Sequence, residues 1–255
     1  MKTHPALRLA AAAALLAAGG TACAQATITH DKALAGSVTP GDTAGYPITI
    51  SQPGSYKLMS NLVVPYGQRG IEIAASGVSL DLNGFNIIGA GSCSQDYNTR
   101  VVSCVSSAET AINIGSAGVG TVVRNGGIKG FNTGIYASGA TLEDLTISQI
   151  GNEGILGGGL PYVTTVRRTR VDLTGVYGIG LDRGIVESCH VSRSGKYGIA
   201  AQAAQMVMVL DSSSRMNRVY GIVDATVRGT FTEQNGTDVS GVISAGGNSR
   251  SGTIY

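Results

Sequence analysis

The stretch that decides the fold is Leu142-Glu-Asp-Leu-Thr-Ile-Ser-Gln-Ile-Gly151, whose pattern returns as Val186-Glu-Ser-Cys-His-Val-Ser-Arg-Ser-Gly195. Apolar or small residues align at the first, fourth and sixth positions, and polar residues stand between them. Inward residues that are three and then two positions apart predict two short strands with a bend between them, each burying one face.

A glycine followed by a branched apolar residue marks each repeat in the second half of the chain. These pairs stand 20, 24, 20, 23 and 20 residues apart. They are Gly134-Ile135, Gly154-Ile155, Gly178-Ile179, Gly198-Ile199, Gly221-Ile222 and Gly241-Val242. A period of this length is typical of a solenoid, in which each repeat packs only against its neighbours.

One half of each repeat has a constant length. An apolar residue precedes the repeat glycine by 12 residues in five successive repeats, at Val122, Leu142, Val166, Val186 and Val209. The other half varies by up to four residues, which predicts a loop at one corner. Glycine and β-branched residues disfavour helix, so we expect three short strands per coil. About seven or eight coils would then stack in parallel, roughly 4.8 Å apart.

The chain begins with the features of a secretory signal, and residues 1–26 are assigned to it. Lys2 and Arg8 supply a basic region, an apolar run extends from Leu9 to Ala18, and small residues before position 27 offer a cleavage site. A secreted or periplasmic protein is therefore expected, with a lipoprotein modified at Cys23 as the alternative. No later segment has 18 uninterrupted apolar residues, so the mature chain is not expected to span a membrane.

The mature chain is predicted to divide into a cap and a solenoid. Residues 27–69 are expected to form a lead-in and an N-terminal β cap, in which Tyr46–Pro65 is predicted to hold two strands after an irregular segment. Residues 70–255 are expected to form the β-helix. An inserted loop at 90–110 interrupts the period.

Three cysteines in the mature chain fall into two environments. Cys93 and Cys104 stand 11 residues apart in the inserted loop, which in a secreted protein predicts a disulfide. A metal-binding pair is the alternative, but no histidine is near. Cys189 aligns with inward positions of other repeats and is expected to be a core residue.

Charge excludes one class of partner. The formal net charge is +2, from 18 basic and 16 acidic residues, and Lys2 and Arg8 of the signal account for the excess. A nearly neutral mature chain disfavours nucleic acid, because a phosphate backbone is bound by a surplus of lysine and arginine.

The repeats carry a family resemblance. Ile71-Glu-Ile-Ala-Ala-Ser-Gly-Val-Ser-Leu-Asp-Leu-Asn-Gly-Phe-Asn-Ile-Ile-Gly89, followed by serial Tyr-Gly-Ile units, resembles the right-handed parallel β-helix proteins of the pectate-lyase-like superfamily. Ile48-Thr-Ile-Ser-Gln-Pro-Gly-Ser-Tyr-Lys-Leu58 resembles the leading segment of a secreted bacterial subgroup, most of whose members have no assigned activity. The resemblance implies an all-β, right-handed parallel β-helix. It does not select a function, since this fold hosts lyases, hydrolases, epimerases, adhesins and structural rods.

Stacked coils place equivalent positions in neighbouring layers, so aligned residues form columns along the rod. Tyr177, Tyr197 and Tyr220 each precede a repeat glycine and form one such column. An aromatic track that binds sugar rings is one interpretation. The other is an aromatic ladder that stabilises the solenoid through contacts between adjacent strands.

Two further columns carry charged or titratable groups. In one, Glu143, Arg167 and Glu187 alternate in sign, as expected of a solvated ladder of ion pairs or of a glycan-binding surface. In the other, Arg170 is followed by His190. His190 is the histidine candidate for catalysis in the repeats, although a lone histidine beside a cation is a weak general base.

Arg167-Arg168-Thr-Arg170 is the densest basic cluster, and Arg193 and Lys196 follow it. This cluster suits an acidic polysaccharide, from which a polyuronate lyase would remove a proton with an arginine base. Ca²⁺ would be expected only in such a lyase, to neutralise the substrate carboxylate. A glycoside hydrolase needs a carboxyl pair, and the sequence offers no motif that supplies one.

Two functions are therefore expected. The first is a secreted, non-catalytic β-helix scaffold that needs no cofactor and presents a surface to a glycan or a protein partner, with the tyrosine column, Arg193 and Lys196 as binding candidates. The alternative is a polyuronate lyase. Less than one coil follows Gly241, so Thr253-Ile254-Tyr255 is expected to fold back over the open end, or the rods to associate end to end.

Overall fold

A computed structural model describes residues 25–105, 109–159, 161–202, 206–251 and 253–254. The predicted signal segment, apart from its last two residues, and the lipoprotein alternative at Cys23 lie outside the described residues. Nearly all regular structure in the described part is β-strand.

The strands are short and are numbered in chain order. Before and within the inserted loop they are β1 (Ala26–Ile28), β2 (Ile48–Ile50), β3 (Gly54–Leu58), β4 (Leu62–Val63), β5 (Ile71–Ile73), β6 (Val78–Asp81), β7 (Asn86–Ile88), β8 (Ser92–Gln95) and β9 (Val102–Val105). After it come β10 (Thr110–Ile114), β11 (Val122–Lys129), β12 (Thr133–Ala137), β13 (Thr141–Ile150), β14 (Glu153–Gly157), β15 (Thr164–Arg167), β16 (Arg170–Thr174), β17 (Tyr177–Leu181), β18 (Gly184–Glu187) and β19 (His190–Ser194). The last ten are β20 (Tyr197–Ala201), β21 (Val207–Leu210), β22 (Ser213–Arg215), β23 (Tyr220–Val223), β24 (Thr226–Arg228), β25 (Phe231–Glu233), β26 (Thr237–Ser240), β27 (Ile243–Ser244), β28 (Ser249–Arg250) and β29 (Thr253–Ile254).

These strands stack into three faces of a parallel β-helix. Face 1 holds β3, β6, the first halves of β11 and β13, then β15, β18, β21, β24 and β27. Face 2 holds β4, β7, the second halves of β11 and β13, then β16, β19, β22, β25 and β28. Face 3 holds β2, β5, β10, β12, β14, β17, β20, β23 and β26. Among the described residues, eight strands of face 3 follow residue 70, which confirms the predicted seven or eight coils.

The core lies inside the coils and is built from the residue that follows each repeat glycine. Ile135, Ile155, Ile179, Ile199 and Ile222 pair in consecutive register on face 3, and each is 0% exposed. Burial of such a side chain contributes about 1.5–3 kcal/mol, so each coil gains stability from its isoleucine together with the buried residues of faces 1 and 2.

The repeat glycine is required by the close approach of the next coil. A Cβ atom on Gly178 would lie 2.6 Å from the carbonyl oxygen of Gly198 and closer still to Val191 Cγ1. The equivalent atom on Gly154 would lie 2.5 Å from the carbonyl oxygen of Gly178. Backbone cannot yield at such distances, so at Gly154 and Gly178 the glycine is a steric condition for stacking rather than a turn residue. The prediction was wrong for Gly241, because Asp238 stands at the equivalent position and Gly241 is a residue of positive φ outside the column.

The predicted bend is confirmed at the corner between faces 1 and 2. In the coils from β11 to β25, one residue at this corner adopts a positive φ, and its position is the same from coil to coil. These residues include Asn125 (φ 64), Asp144 (φ 55), Arg168 (φ 45), Ser188 (φ 54) and Asp211 (φ 48). This left-handed conformation turns the chain within one residue and lets both strands point apolar side chains inward.

The N-terminal segment differs from the prediction in two respects. Residues 46–65 form three strands rather than two, because the short β4 continues the coil and pairs with β7. The segment before them contains a helix, α1 (His30–Ala35), where an irregular lead-in was expected. Thr29 caps α1 by accepting a hydrogen bond from the Lys32 amide at 3.1 Å. Ala33 is buried, so α1 covers part of the first coil.

The C-terminal residues reverse direction, as one of the two predictions required. Strand β29 pairs antiparallel with β28, so Thr253 and Ile254 fold back along the last edge of face 2. Tyr255 lies outside the described residues, and end-to-end association stays a prediction. No helix in the described ranges is long and apolar enough to cross a membrane.

Replacing Gly178 with alanine tests the steric role of the repeat glycine. Gly178→Ala is expected to lower the free energy of unfolding by about 1–3 kcal/mol, because the added methyl overpacks the contact between coils. Gly115→Ala is the matched control, since its Cβ would have no heavy atom within 4 Å and its φ is −73°. Urea unfolding followed by circular dichroism measures both. Equal stability of the two variants would contradict the steric explanation.

Candidate functional site

The inserted loop forms an antiparallel hairpin of β8 and β9 that lies beside face 2. Cys93 and Cys104 occupy opposite positions of the hairpin and are joined by a disulfide, as predicted. The Cys93 sulfur lies 3.4 Å from the carbonyl oxygen of Ile150. Gln95 Nε2 donates to the carbonyl oxygen of Met216 at 3.4 Å. The hairpin therefore contacts coils that are far apart in sequence, and its disulfide indicates an oxidising, extracellular location.

A groove of about 350 Å³ opens between the turn of this hairpin and face 2. We call it the hairpin groove. Its polar wall is formed by Tyr97 of the turn, Arg170 and Asp172 of β16, His190 of β19, and Ser213 and Arg215 of β22. The strand residues point outward because β16, β19 and β22 each alternate between inward and outward side chains.

Asp172 and Arg193 form an ion pair with two hydrogen bonds in the wall of the groove. Arg193 Nε donates to Asp172 Oδ1 at 2.8 Å, and its Nη2 donates to Oδ2. Ser192 Oγ donates to Asp172 Oδ1 at 2.7 Å. Burial raises the pKa of Asp172, but the hydrogen bonds from Arg193 and Ser192 outweigh it and hold the pKa below its usual value.

The same arginine connects the groove wall to the hairpin. Arg193 Nη1 donates to the hydroxyl of Tyr97 at 3.2 Å. The Tyr97 side chain is otherwise open, with 67% of the residue exposed. Tyr97 thus presents its ring at the mouth of the groove while its hydroxyl is held in place.

Arg170 is the guanidinium of the groove that has no acidic partner among the described residues. No hydrogen bond or ion pair joins Arg170 to the side chains of the described ranges, although its charge lowers the pKa of Asp172. Arg215, by contrast, is bound to Glu233 at 2.7 Å. The groove therefore carries positive potential that is concentrated at Arg170.

His190 and Ser213 lie side by side on adjacent strands of the groove wall. Arg170 pairs in register with His190, as predicted, and Ser213 continues the same column on the next strand. His190 Nδ1 and Ser213 Oγ are 2.8 Å apart, a distance at which they share a hydrogen bond.

The predicted arginine cluster is divided by the bend at Arg168. Arg170 lies on face 2, whereas Arg168 donates to Asp144 Oδ1 at 2.8 Å and to Glu143 Oε2 at 3.0 Å. Arg167, on face 1, has its Nε 3.9 Å from the same Glu143 oxygen. The predicted pairing of Glu143, Arg167 and then Glu187 along one column is confirmed. Of the three arginines, only Arg170 lines the hairpin groove.

The tyrosine column lies on face 3, and its rings contact one another. The ring centroids of Tyr177 and Tyr197 are 5.1 Å apart, and those of Tyr197 and Tyr220 are 5.6 Å apart with an interplanar angle of 12°. Burial is the main cause that raises the pKa of Tyr177. Because stacked rings cover each other's faces, a ligand reaches mainly their edges and hydroxyls.

A second cavity, of about 440 Å³, adjoins Tyr177 and Tyr197 on face 3. Gln202 and Asp224 complete its polar lining. Arg193 points into the hairpin groove instead, and Lys196 is exposed at the corner and lines neither cavity. The predicted binding candidates are thus distributed over two faces, and their role in binding stays a prediction.

Cys189 points into the core, as predicted. It is 0% exposed, and burial raises the pKa of its thiol to about 11. A thiol in this environment is a packing residue and a poor nucleophile.

The groove does not offer the ligands that Ca²⁺ requires. Asp172, the carboxylate in its wall, is already bonded to Arg193 and Ser192. Within the described ranges no three His, Cys, Asp or Glu side chains cluster as a metal site. Since Ca²⁺ takes six to eight oxygen ligands, typically several of them carboxylates, the residues present do not fit this ion.

Sequence reasoning missed two parts of the site. Tyr97 was not singled out, although an aromatic residue inside a disulfide-closed loop is a recognisable signal. Arg215 was missed as well, because only the register between β19 and β22 places it beside His190 and Ser213.

Comparison with known proteins shows distant structural similarity. A tailspike protein from Acinetobacter baumannii bacteriophage Fri1, a capsular polysaccharide depolymerase, is 11% identical with a TM-score of 0.47 over 80% of this chain and 46% of that one. A lacto-N-biosidase from Eubacterium ramulus is 12% identical, with a TM-score of 0.48 over 88% and 55%. The A-module of an Azotobacter vinelandii mannuronan C-5 epimerase is 11% identical, with a TM-score of 0.42 over 80% and 84%.

No family model matches the sequence, and no curated protein matches it. This chain spans about half the length of the tailspike and of the lacto-N-biosidase. Similarity at this level does not assign site residues, a substrate or an activity to this chain. The hairpin groove itself is therefore the basis for a function.

Replacing Asp172 with asparagine tests the ion pair that organises the groove. Asp172→Asn is expected to destabilise the protein by about 1–3 kcal/mol near neutral pH, because Arg193 loses its charged acceptor. The folded pKa of Asp172 lies below its ordinary value of 3.8, so this contribution is present above that pH. It is lost as the pH falls through the folded pKa.

Urea unfolding of wild type and Asp172→Asn at neutral and at acidic pH measures the effect. The stability difference is expected to shrink as the pH is lowered. Asp144→Asn, which alters an exposed ion pair with Arg168, is the control and is expected to change stability less. A pH-independent difference for Asp172→Asn would show that the carboxylate charge is not responsible.

Proposed function

We propose that this chain binds an acidic glycan in the hairpin groove and leaves its glycosidic bonds intact. The observation that carries the proposal is the position of Arg170. Its guanidinium has no acidic partner among the described residues, and it lines a concave groove of about 350 Å³. Ligand sites are typically concave, of about 300–1,000 Å³, with a few polar groups that fix orientation.

The charges of the groove select the ligand class. Asp172 neutralises Arg193 and Glu233 neutralises Arg215, so one positive charge remains for a ligand. A planar guanidinium binds a carboxylate through two parallel hydrogen bonds. A glycan that presents a single carboxylate to the groove, as one uronate residue of a polyuronate chain does, matches this arrangement better than a ring that carries several sulfate or phosphate groups.

Tyr97 supports a glycan rather than a protein as the partner. Its exposed ring stands at the mouth of the groove with its hydroxyl anchored by Arg193. Such a ring offers a rigid apolar surface at low entropic cost, against which the apolar face of a sugar packs. A narrow concave site suits a glycan chain, whereas protein interfaces bury about 800 Å² per partner over a broader surface.

Cleavage of the glycan chain by hydrolysis is not supported by the residues of the groove. Retaining and inverting mechanisms both need two carboxyl groups, and the described wall contributes Asp172, which is engaged by Arg193. Secretion or periplasmic location, with removal of residues 1–26, belongs to the same proposal.

A polyuronate lyase is the second candidate function. Arg170 favours it too, since a base that removes a proton beside a carboxylate must face the substrate without an acidic partner. Ca²⁺ does not fit this groove, so a lyase here would have to neutralise the carboxylate with protein cations. Incubation with polygalacturonate and alginate, followed by ultraviolet absorbance of unsaturated products, separates the candidates. Product that disappears in Arg170→Ala would replace the binding proposal.

Calorimetric titration with polygalacturonate oligomers at low salt tests the binding proposal. Arg170→Ala is expected to raise Kd about 10- to 100-fold, as loss of a charge-assisted hydrogen-bonding group does. Arg228→Ala removes an exposed arginine of face 1 and serves as the control, with Kd expected unchanged.

Tyr97→Ala and Tyr197→Ala locate the ligand in the same titration. Loss of binding in Tyr97→Ala alone supports the hairpin groove. Loss in Tyr197→Ala alone would move the site to face 3, and unchanged binding in Arg170→Ala would reject the groove.

A further inference from the structure

His190 and Ser213 form a pair that binding of a carboxylate does not use. Ser213 Oγ lies 2.8 Å from His190 Nδ1. His190 is exposed and Ser213 half-buried, and both line the hairpin groove. A serine hydroxyl beside an imidazole nitrogen is the arrangement that turns a weak nucleophile into a reactive one, because the imidazole accepts the hydroxyl proton.

The strand geometry directs both groups toward the groove. Ser213 and His190 are register partners on adjacent strands, β22 and β19. Ser214 points into the core and is 0% exposed, so its neighbours Ser213 and Arg215 point outward together. The hydroxyl is therefore open to a ligand that occupies the groove, and the guanidinium of Arg215 stands on the same strand and the same side.

We propose that Ser213 and His190 hydrolyse an O-acyl ester, such as an O-acetyl group, on an acidic saccharide that Arg170 holds by its carboxylate. The identity of the saccharide rests on the proposed function, whereas the ester chemistry rests on the Ser213 and His190 pair. The reaction removes a substituent and leaves the glycan chain intact.

Hydrolysis of the ester by Ser213 and His190 needs water and no cofactor. Ser213 Oγ attacks the ester carbonyl carbon while His190 Nδ1 accepts the hydroxyl proton. The bond between the acyl carbon and the sugar oxygen then breaks, and the sugar oxygen leaves with the proton from His190. Water, deprotonated by His190, attacks the acyl-serine, which releases the carboxylic acid and restores the serine hydroxyl.

The positions of the arginines fit this chemistry. Arg170 and Ser213 are two strands apart in one column, roughly 10 Å at the ordinary strand spacing. A saccharide residue that carries both a carboxylate and an ester lies between them. Arg215 stands on the same strand as Ser213, but its guanidinium is bound to Glu233, so any stabilisation of the oxyanion by Arg215 depends on the N–H groups that Glu233 leaves unused.

A serine and a histidine without a third, orienting group suit an ester as substrate rather than an amide. Among the described residues no carboxylate forms a hydrogen bond to His190, so the imidazole lacks the third group that orients it in the most reactive serine hydrolases. A sugar alkoxide is a better leaving group than an amine, which makes an ester a feasible substrate and an amide a poor one.

Release of acetate from acetylated polygalacturonate, and hydrolysis of p-nitrophenyl acetate, test the proposal on the full chain. Ser213→Ala and His190→Ala are each expected to lower the rate about 100-fold or more, the usual effect of losing a nucleophile or a general base. Ser116→Ala, at an exposed serine away from the groove, is expected to retain the wild-type rate. Circular dichroism checks that all variants are folded.

Covalent labelling provides a second readout that needs no saccharide. Diisopropyl fluorophosphate is expected to add one adduct to wild type and to Ser116→Ala, and none to Ser213→Ala, by intact-protein mass spectrometry. Absence of both an adduct and acetate release, while polygalacturonate still binds, would overturn this inference and leave the proposed function standing. An adduct on Ser213 without polygalacturonate binding would support the ester chemistry and reject the proposed saccharide.

Discussion

The fold depends on the distance to which two coils can approach at the repeat glycine. Gly154, Gly178 and Gly198 stand in one column, and at each of them a Cβ would collide with the carbonyl oxygen of the next coil. With that atom absent, the backbones of face 3 reach hydrogen-bonding distance and the isoleucines beside them close the core. Burial and backbone pairing are thereby obtained from the same few positions of each repeat.

Tight stacking makes each column a chemical unit. Side chains at one position of successive coils stand about 4.8 Å apart, so a substitution in one coil changes the surroundings of the next. On face 1, Glu143 and Arg167 are close enough to pair their charges. On face 3, the rings of the tyrosine column stack on one another. On face 2 the pairing is incomplete, since Arg170 has His190 rather than a carboxylate as its register partner. That incomplete pairing distinguishes the hairpin groove from the rest of the surface.

Much of the fold follows from the sequence because its period is local. The charged column, the tyrosine column, the bend and the disulfide of Cys93 and Cys104 each depend on residues within one or two repeats, and they are confirmed. The repeat pattern was wrong at its two ends, because Val123 rather than Val122 pairs with Leu142, and Val239 rather than Val242 pairs with Ile222. The candidate functional site was harder to predict from the sequence. Residues 167–170 read as one basic cluster, but the left-handed Arg168 turns the chain and separates them. Tyr97 and Arg193 are 96 residues apart, and no repeat pattern encodes the docking of an insertion onto a distant coil.

The docked hairpin also changes how local unfolding spreads along the rod. A solenoid behaves as a one-dimensional array in which each coil contacts only its neighbours, so fraying at one end proceeds coil by coil. The hairpin breaks this rule, because Cys93 contacts Ile150 and Gln95 contacts Met216, three coils further along. The coils between these contacts are coupled into one cooperative block, so fraying from the C-terminal end is opposed there. We therefore expect the coils that carry the groove to open together rather than one by one.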